Sequence, residues 1–195
     1  MPSALKPLIA LARADPAGAL RRARGEPHPA NRCQFLAWVA HFAPERDAAA
    51  IAREALDASA RIDNDYWSVA IAAWPLRALV ERGYATECAR ALGPVLRRAA
   101  AIAHPVSRMG ALELLLHAVF AVASARELVV GALLEACASA DSWKVPRCLA
   151  RTAVILAGSP AESNRVLAVM PEGRHKRSAR REIAAGGRAP RSFFV

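Results

Sequence analysis

Hydrophobic residues recur with helical spacing through most of the chain, and most clearly between Pro105 and Ala123. The second half of that stretch is apolar nearly all the way round, which indicates a helix with neighbours on most sides. Such a helix belongs in the middle of a helical stack. The order of apolar and polar positions therefore predicts an all-α fold.

The same pattern returns along the chain at intervals of 36 to 40 residues. Cys33, Val69, Met109 and Cys148 fall at one apolar position of successive units, which predicts that all four are buried. Each unit contains two amphipathic helices joined by a short break, so the two helices must lie antiparallel. Because one pair cannot bury its apolar face alone, we expect successive pairs to stack.

Proline, glycine and polar breaks give the bounds of the predicted helices. Two short helices, 3–14 and 16–24, come first. Four pairs follow, at 30–43 and 45–61, 65–82 and 85–102, 105–122 and 125–139, and 143–157 and 160–170. A last polar helix covers 174–184 and ends at two glycines, 186 and 187.

Several residues are predicted to cap these helices. Asp15 precedes a proline and is a typical N-cap. Asp63 and Asp65 lie at the turn before Tyr66 and Trp67, where the predicted helix 65–82 begins. They are also predicted to cap this helix, because aspartate accepts free backbone N–H groups. Ser124 and Ser159 each precede a glutamate by three residues, the spacing of a capping box.

Two segments of the repeats carry a family resemblance: Ile62 to Ala70, IDNDYWSVA, and Val145 to Ala150, VPRCLA. They resemble bacterial HEAT-like α-helical repeats, in which a short turn with Asp or Pro leads into an arginine and an alanine-rich helix. The resemblance covers about residues 30–170. It implies that the second helix of each pair lines the concave face. The tetratricopeptide pattern fits less well, because its Trp, Gly-Tyr and Pro positions are not all present in any unit.

We therefore predict a right-handed α-solenoid of about four antiparallel helix pairs with capping helices at both ends. Residues 1–29 would form the N-terminal capping helices and 30–170 the HEAT-like repeat body. Residues 171–187 would form a basic capping helix. Residues 188–195 would be a loose tail, except for Phe193 and Phe194.

Composition agrees with a folded helical protein. Alanine and leucine dominate, aromatic residues make up only 6%, and this bias favours helix over sheet. The hydrophobic fraction of 54% excludes a disordered chain, and the length fits one domain. No run of 18 residues lacks charge, and the apolar segment 7–12 is too short for a signal peptide. We expect a cytoplasmic protein that does not enter a membrane.

The formal net charge of +10 lies mainly at the two ends of the chain. Residues 1–32 carry a net charge of +4 and residues 166–195 a net charge of +5, whereas the 133 residues between them carry only +1. All but three of the 27 basic residues are arginine, and a GC-rich genome is the alternative explanation of this excess. The repeat body is therefore nearly neutral, and any electrostatic partner would be attracted to the ends.

No catalytic constellation is present in the sequence. The motifs GxSxG, GxxxxGK[ST], GxGxxG and HExxH do not occur. The four cysteines show no CxxC spacing, which favours buried apolar thiols over a disulfide framework or a zinc site. His41 and His117 fall at equivalent repeat positions, with Arg77 between them, which indicates a structural slot. We expect no enzyme, no cofactor and no metal.

Three tryptophans have two interpretations. Trp67 and Trp74 are seven residues apart on one helix face, and Trp38 aligns with Trp74. Core filling between neighbouring helices is the interpretation that we favour. The alternative is a DNA-facing aromatic surface, since some DNA glycosylases of HEAT-like fold resemble this chain in size and helix content. No site residue of those enzymes is matched here.

Arginine clusters are the candidate contact residues. In the last helix, Lys176 and Arg180 are four residues apart, as are Arg177 and Arg181, and such like-charge pairs destabilise a helix by roughly 0.2–0.5 kcal/mol each. A carboxylate- or phosphate-bearing partner would relieve this, although a polar cap that prevents end-to-end stacking is the alternative. The candidate residues are Arg90, Arg97, Arg98, Arg174, Lys176, Arg177, Arg180 and Arg181.

The function predicted from these observations is that of a non-catalytic scaffold, which binds a protein partner on its concave face. Nucleic-acid binding through the basic ends and the groove is the alternative, and a DNA-repair glycosylase-like enzyme is the third hypothesis. The identity of the partner and the oligomeric state do not follow from the sequence.

Overall fold

The computed structural model describes residues 5–191, 193 and 194. Over these residues the chain forms eleven α-helices and one short 3₁₀ turn, with no strand, which confirms the all-α prediction. The α-helices are α1 Leu5–Ala14, α2 Pro16–Arg24, α3 Pro29–Phe42, α4 Glu45–Ala60, α5 Asp65–Glu81, α6 Ala85–Ala101, α7 Pro105–Val119, α8 Ala123–Ala138, α9 Val145–Ile155, α10 Pro160–Val169 and α11 Arg174–Ala184. The predicted residues 3 and 4 of the first helix lie outside the described part.

The four residues that the repeat pattern places at one position are all buried. Cys33, Val69 and Met109 are each the fifth residue of their helix, α3, α5 and α7, and Cys148 is the fourth residue of α9. Matching positions in successive units therefore lie in one continuous apolar interior. The α7 helix is central in this interior, because its apolar residues face neighbours on several sides.

The helices pack in two rows. The first helix of each pair, α3, α5, α7 and α9, contacts the first helix of the next pair, and the second helices, α4, α6, α8 and α10, follow each other in the same way. At the ends, α1 and α2 both pack on α3, and α11 packs on α9. This is the contact order that stacked helix pairs produce. The right-handed α-solenoid itself stays a prediction.

The N-cap predicted for α2 is confirmed, and the N-caps predicted for α5 are not. Asp15 Oδ1 accepts the N–H of Gly18 at 2.9 Å, as predicted. At α5, Asn64 is the cap, and its Oδ1 accepts the N–H of Trp67 at 3.0 Å. The prediction that Asp63 and Asp65 cap this helix is wrong, because α5 begins at Asp65 and only the residue directly before it is in cap position.

Neither predicted capping box forms. The α8 helix begins at Ala123, so Ser124 lies inside the helix and its hydroxyl cannot act as the N-cap. Ser159 does precede α10, but its side chain makes no cap hydrogen bond within the described residues. The partner glutamate, Glu162, instead accepts a hydrogen bond from Arg126 Nε of α8 at 2.9 Å. Glu162 therefore takes part in a contact between α8 and α10 and not in the predicted capping box at the start of α10.

Basic side chains form hydrogen bonds with backbone carbonyls in several of the connections between helices. Near the start of four helices, a basic side chain donates to the backbone carbonyl that lies six residues earlier, in the preceding connection. The pairs are Arg32 Nε with Glu26 O (2.6 Å), Arg108 Nη2 with Ile102 O (2.8 Å), Arg126 Nη1 with Phe120 O (2.6 Å) and Lys176 Nζ with Met170 O (3.1 Å). These bonds satisfy carbonyls that helix ends leave without a partner.

The C-terminal segment returns across the row of first helices. Gly186 and Gly187 have φ angles of 99° and 71° and turn the chain back after α11. The N–H of Arg188 then donates to Val154 O of α9 at 3.3 Å, and that of Arg191 to His117 Nδ1 of α7 at 2.9 Å. Beyond them, residues 193 and 194 reach α5 and α3. The predicted loose tail is therefore held along much of its length.

Candidate protein-interaction site

A groove lies between α4 and α6 in the row of second helices. These two helices contact each other little, and the cavity between them has a volume of about 480 Å³. Val69 and Ala72 of α5 form its apolar floor, and Leu56, Ala91 and Val95 contribute apolar side chains to its walls. We refer to this cavity as the α4–α6 groove. Its size and apolar lining are typical of a binding site.

Two buried hydroxyl groups lie in this groove, and both donate hydrogen bonds to backbone carbonyls. Ser68 Oγ donates to Ser59 O at 2.8 Å, and Ser59 Oγ donates to Leu56 O at 2.7 Å. Because each proton is held by a carbonyl rather than by a basic side chain, neither serine is arranged as an activated nucleophile. The Ser68 hydroxyl ties the start of α5 to the end of α4, whereas the Ser59 hydroxyl bonds within α4.

Charged side chains of both signs surround the groove. Arg53 and Asp57 of α4 and Glu87 and Arg90 of α6 line its edge, and three of the four are exposed, with Glu87 half-buried. None of them forms an ion pair with another described residue. The groove therefore offers an apolar centre within a ring of charges that a partner can pair with.

The three arginines predicted near this groove have different environments. Arg90 and Arg98 line it, whereas Arg97 is exposed outside it. Arg98 is committed internally, since its guanidinium binds Asp65 Oδ1 at 3.0 Å, Ile62 O at 3.2 Å and the carbonyl of Ala60. Of the three, only Arg90 presents a guanidinium to the groove that has no hydrogen bond within the described chain.

The predicted cluster on α11 is partly neutralised by the chain itself. Lys176 is buried, and its ammonium binds Glu172 at 2.8 Å besides the Met170 carbonyl. Arg180 lies 3.6 Å from the same carboxylate, and the hydrogen bond from Lys176 lowers the pKa of Glu172. The repulsion between Lys176 and Arg180 is thus relieved within the chain. The remaining side chains, Arg174, Arg177 and Arg181, are exposed at this end of the stack.

The tryptophans confirm the core-filling interpretation for one residue only. Trp38 is fully buried and Trp74 is half-buried, and their rings lie 6.3 Å apart between α3 and α5. Trp67, at the start of α5, is 56% exposed. None of the three lines the α4–α6 groove.

The sequence pattern missed an aromatic surface on the first helices. Trp38 and His41 of α3 and Trp74 of α5 surround the ring of Phe194, and we call these three residues the aromatic cradle. The Phe194 ring stacks on His41 at 4.4 Å and meets Trp38 edge-on at 5.0 Å. The available signal was a pair of phenylalanines in a chain otherwise poor in aromatic residues.

The predicted histidine slot lies under the C-terminal segment. His41 Nδ1 is 3.2 Å from Glu81 Oε2, and His117 Nδ1 accepts the Arg191 N–H. Burial lowers the pKa of both imidazoles, and Arg77, which stands at the intervening repeat position, lowers them further. Both shifts favour the neutral imidazole, the form in which His117 Nδ1 can accept the Arg191 N–H.

The cysteines have the character of apolar core residues. All four are free thiols, and Cys33, Cys88 and Cys148 are buried. Burial raises the pKa of Cys33, and it raises the pKa of Cys88 to about 12. Such thiols are inert at neutral pH because the thiolate is the reactive form. Among the described residues, no group of three or more His, Cys, Asp or Glu side chains is placed to hold a metal ion.

None of the helices in the described part is both long and apolar enough to span a membrane. Comparison with protein-family models, with curated proteins and with solved structures finds no match to this chain. The HEAT-like resemblance therefore stays a prediction that depends on the residues themselves.

Proposed function

We propose that this chain is a non-catalytic helical-repeat scaffold, which binds an amphipathic helix of a protein partner in the α4–α6 groove. The observation that carries the proposal is an apolar cavity of about 480 Å³ edged by four charged side chains, Arg53, Asp57, Glu87 and Arg90, that form no ion pair within the described chain. If the HEAT-like resemblance holds, the groove lies on the concave face.

The shape and chemistry of the groove favour a helix as the bound element. A helix presents one apolar stripe flanked by polar residues, and such a stripe can enter an apolar groove between two helices. Arg53 of α4 and Arg90 of α6 would pair with acidic residues on the two flanks of that stripe, and Asp57 and Glu87 with basic residues. Charges of both signs would set the orientation of the partner, while the apolar centre would supply most of the affinity.

Filling the groove tests this proposal. Ala91→Trp places an indole in the groove, and Ala100→Trp places the same side chain on the exposed side of α6. Proteins that wild type and Ala100→Trp retain in a pull-down should be lost on Ala91→Trp, with binding weakened at least about tenfold, as for a hot-spot contact.

Charge reversal supplies a second matched pair in the same assay. Arg90→Glu should weaken the binding of those proteins, whereas Arg97→Glu, outside the groove, should not. Circular dichroism must show equal helix content in every variant. Retention of the same proteins by Ala91→Trp and by wild type would exclude the groove as the binding site.

Nucleic-acid binding is the second candidate, and the exposed guanidinium groups of Arg174, Arg177 and Arg181 favour it. Affinity would then fall steeply as salt rises, because phosphate contacts release counterions. Elution from heparin below physiological salt would exclude this candidate. The glycosylase hypothesis gains no support from the α4–α6 groove, since no tryptophan lies among the residues that line it.

A further inference from the structure

The C-terminal segment lies on the first helices in the way that a bound peptide does. From Arg188 to Phe194 it forms neither helix nor strand in its described residues. Its backbone is held at separate points, by Val154 O on α9 and by His117 Nδ1 on α7. Pro190, between these points, has no N–H and favours an extended backbone. Its phenylalanines then contact α5 and α3, so the segment contacts four successive first helices without becoming part of any of them.

The main side-chain contacts of the segment are made by its two phenylalanines. Phe193 is buried and meets the Trp74 ring edge-on at 5.2 Å. Phe194 lies in the aromatic cradle, in contact with both α3 and α5. Edge-to-face and offset aromatic contacts at these separations are favourable beyond the area that they bury. Two consecutive aromatic rings are thus the recognition element of the segment.

The turn before the segment directs it toward this face. Gly187 has a positive φ, and a Cβ at this position would lie 2.2 Å from Ala157 Cβ and 2.8 Å from Val154 O. Gly186 also has a positive φ. Only glycine adopts this conformation without strain and permits so close an approach. The two glycines therefore direct the segment from the end of α11 onto the first helices.

We propose that the face formed by α3, α5 and α7 is a binding site for an extended peptide with two consecutive phenylalanines, and that the described residues of the C-terminal segment, 188–191, 193 and 194, occupy it as an intramolecular ligand. A partner segment of the same chemistry binds only when this ligand leaves. The site lies on the row of first helices, whereas the α4–α6 groove lies in the row of second helices. It does not depend on the scaffold function proposed above.

The peptide of residues 188–195, RAPRSFFV, labelled at its N-terminus, is the probe for this site. The full chain with Phe193→Ala and Phe194→Ala should bind it at least about tenfold more tightly than wild type, because a tethered ligand competes at roughly millimolar effective concentration. Fluorescence anisotropy measures the affinity, and the peptide RAPRSAAV is the control that should not bind. Equal affinity of the two proteins for the probe, or failure of the double variant to bind at about 1 mM peptide, would overturn the proposal.

If the double alanine variant does not fold, as loss of its helical circular dichroism signal would show, a second variant tests the proposal. Gly187→Ala retains both phenylalanines but forces a clash at the turn, so it should also raise the affinity for the labelled probe above that of wild type. Size-exclusion chromatography with light scattering tests the intramolecular assignment. A wild-type dimer that the double alanine variant abolishes would mean that the segment binds a second copy instead, and would overturn it.

Discussion

Several arginines of this chain stabilise the fold through hydrogen bonds to backbone carbonyls. Arg98 and Arg108 each direct a guanidinium to backbone carbonyls of a helix connection, and Arg126 does so while also pairing with Glu162. The planar fork of arginine offers several donors at once, which suits this use better than the point charge of lysine. The positive charge available to a partner is therefore smaller than the formal value.

Arg108 and Arg147 allow this structural use to be measured, because they are equivalent in the repeat alignment. Arg108 Nε and Nη2 donate to Ile102 O at 3.1 and 2.8 Å, whereas Arg147 is exposed. Arg108→Met should lower the free energy of unfolding by about 1.5–3 kcal/mol, the value of hydrogen bonds to a charged group. Arg147→Met should change it by less than about 0.5 kcal/mol. Urea denaturation measures both, and equal effects would contradict the structural role of Arg108.

At the scale of helices, the two rows are held together differently. Along the first row, α3, α5 and α7 pack closely through apolar side chains. Along the second row the helices contact each other less, and charged pairs span some of the gaps. Between α8 and α10 there are two such pairs, Arg126–Glu162 and Arg165–Glu127. The looser packing of the second row is what leaves the α4–α6 groove open.

The two ion pairs between α8 and α10 should differ in strength because they differ in burial. Arg126 and Glu162 each have 15% of the side chain exposed, whereas Arg165 and Glu127 have 50% and 69%. Glu162→Ala should lower the free energy of unfolding by about 1.5–3 kcal/mol, since it leaves a partly buried guanidinium without its carboxylate. Glu127→Ala should cost less than about 0.5 kcal/mol, because water and salt screen the exposed pair. Thermal or urea denaturation of the two variants is the measurement, and a larger loss in Glu127→Ala would refute the assignment.

At the scale of the whole molecule, the C-terminal segment runs back along the row of first helices. It begins after α11, crosses α9, α7 and α5, and ends on α3. His117 is the polar contact in the middle of this path, because only a neutral imidazole can accept the N–H of Arg191. Glu113, Arg151 and Arg77 also face this ring, and the net effect of burial and its neighbours is a lowered pKa.

Stability should therefore decrease on mild acidification. Unfolded histidine titrates near 6.5, whereas the folded pKa values of His117 and His41 lie lower, so the unfolded state binds more protons below about pH 6.5. The free energy of unfolding should be constant above about pH 7 and fall between about pH 6.5 and 5. The net charge of the groups around His41 adds to this, since Arg13, Arg77 and Arg82 oppose its protonation while Glu81 favours it.

The measurement is urea denaturation across that pH range. His117→Gln should reduce the slope of stability against pH, whereas His28→Gln, at an exposed position, should leave it as in wild type. An unchanged slope in His117→Gln would show that the ring does not contribute to the linkage.

The helical architecture was largely predictable because its signals are local. Apolar periodicity, the prolines that begin helices and the glycine breaks place most helix bounds within a few residues, and the buried register of Cys33, Val69, Met109 and Cys148 follows from the same repeat. The cap errors at Ser124 and Asp63 arose at helix starts, where a shift of one residue changes which side chain can reach the free N–H groups. The right-handed stack and the HEAT-like family remain predictions.

What only the tertiary structure decided is which polar and aromatic side chains are already used within the chain. Sequence alone determined that helices form and that their apolar faces are shared, since these depend on residues three to seven positions apart. It could not determine that Lys176 is buried, that Arg98 is tied to a distant connection or that Phe194 lies against Trp38, because each contact joins groups whose distance is set by folding. The open α4–α6 groove and the occupied aromatic cradle have the same origin: both depend on how closely whole helices approach one another.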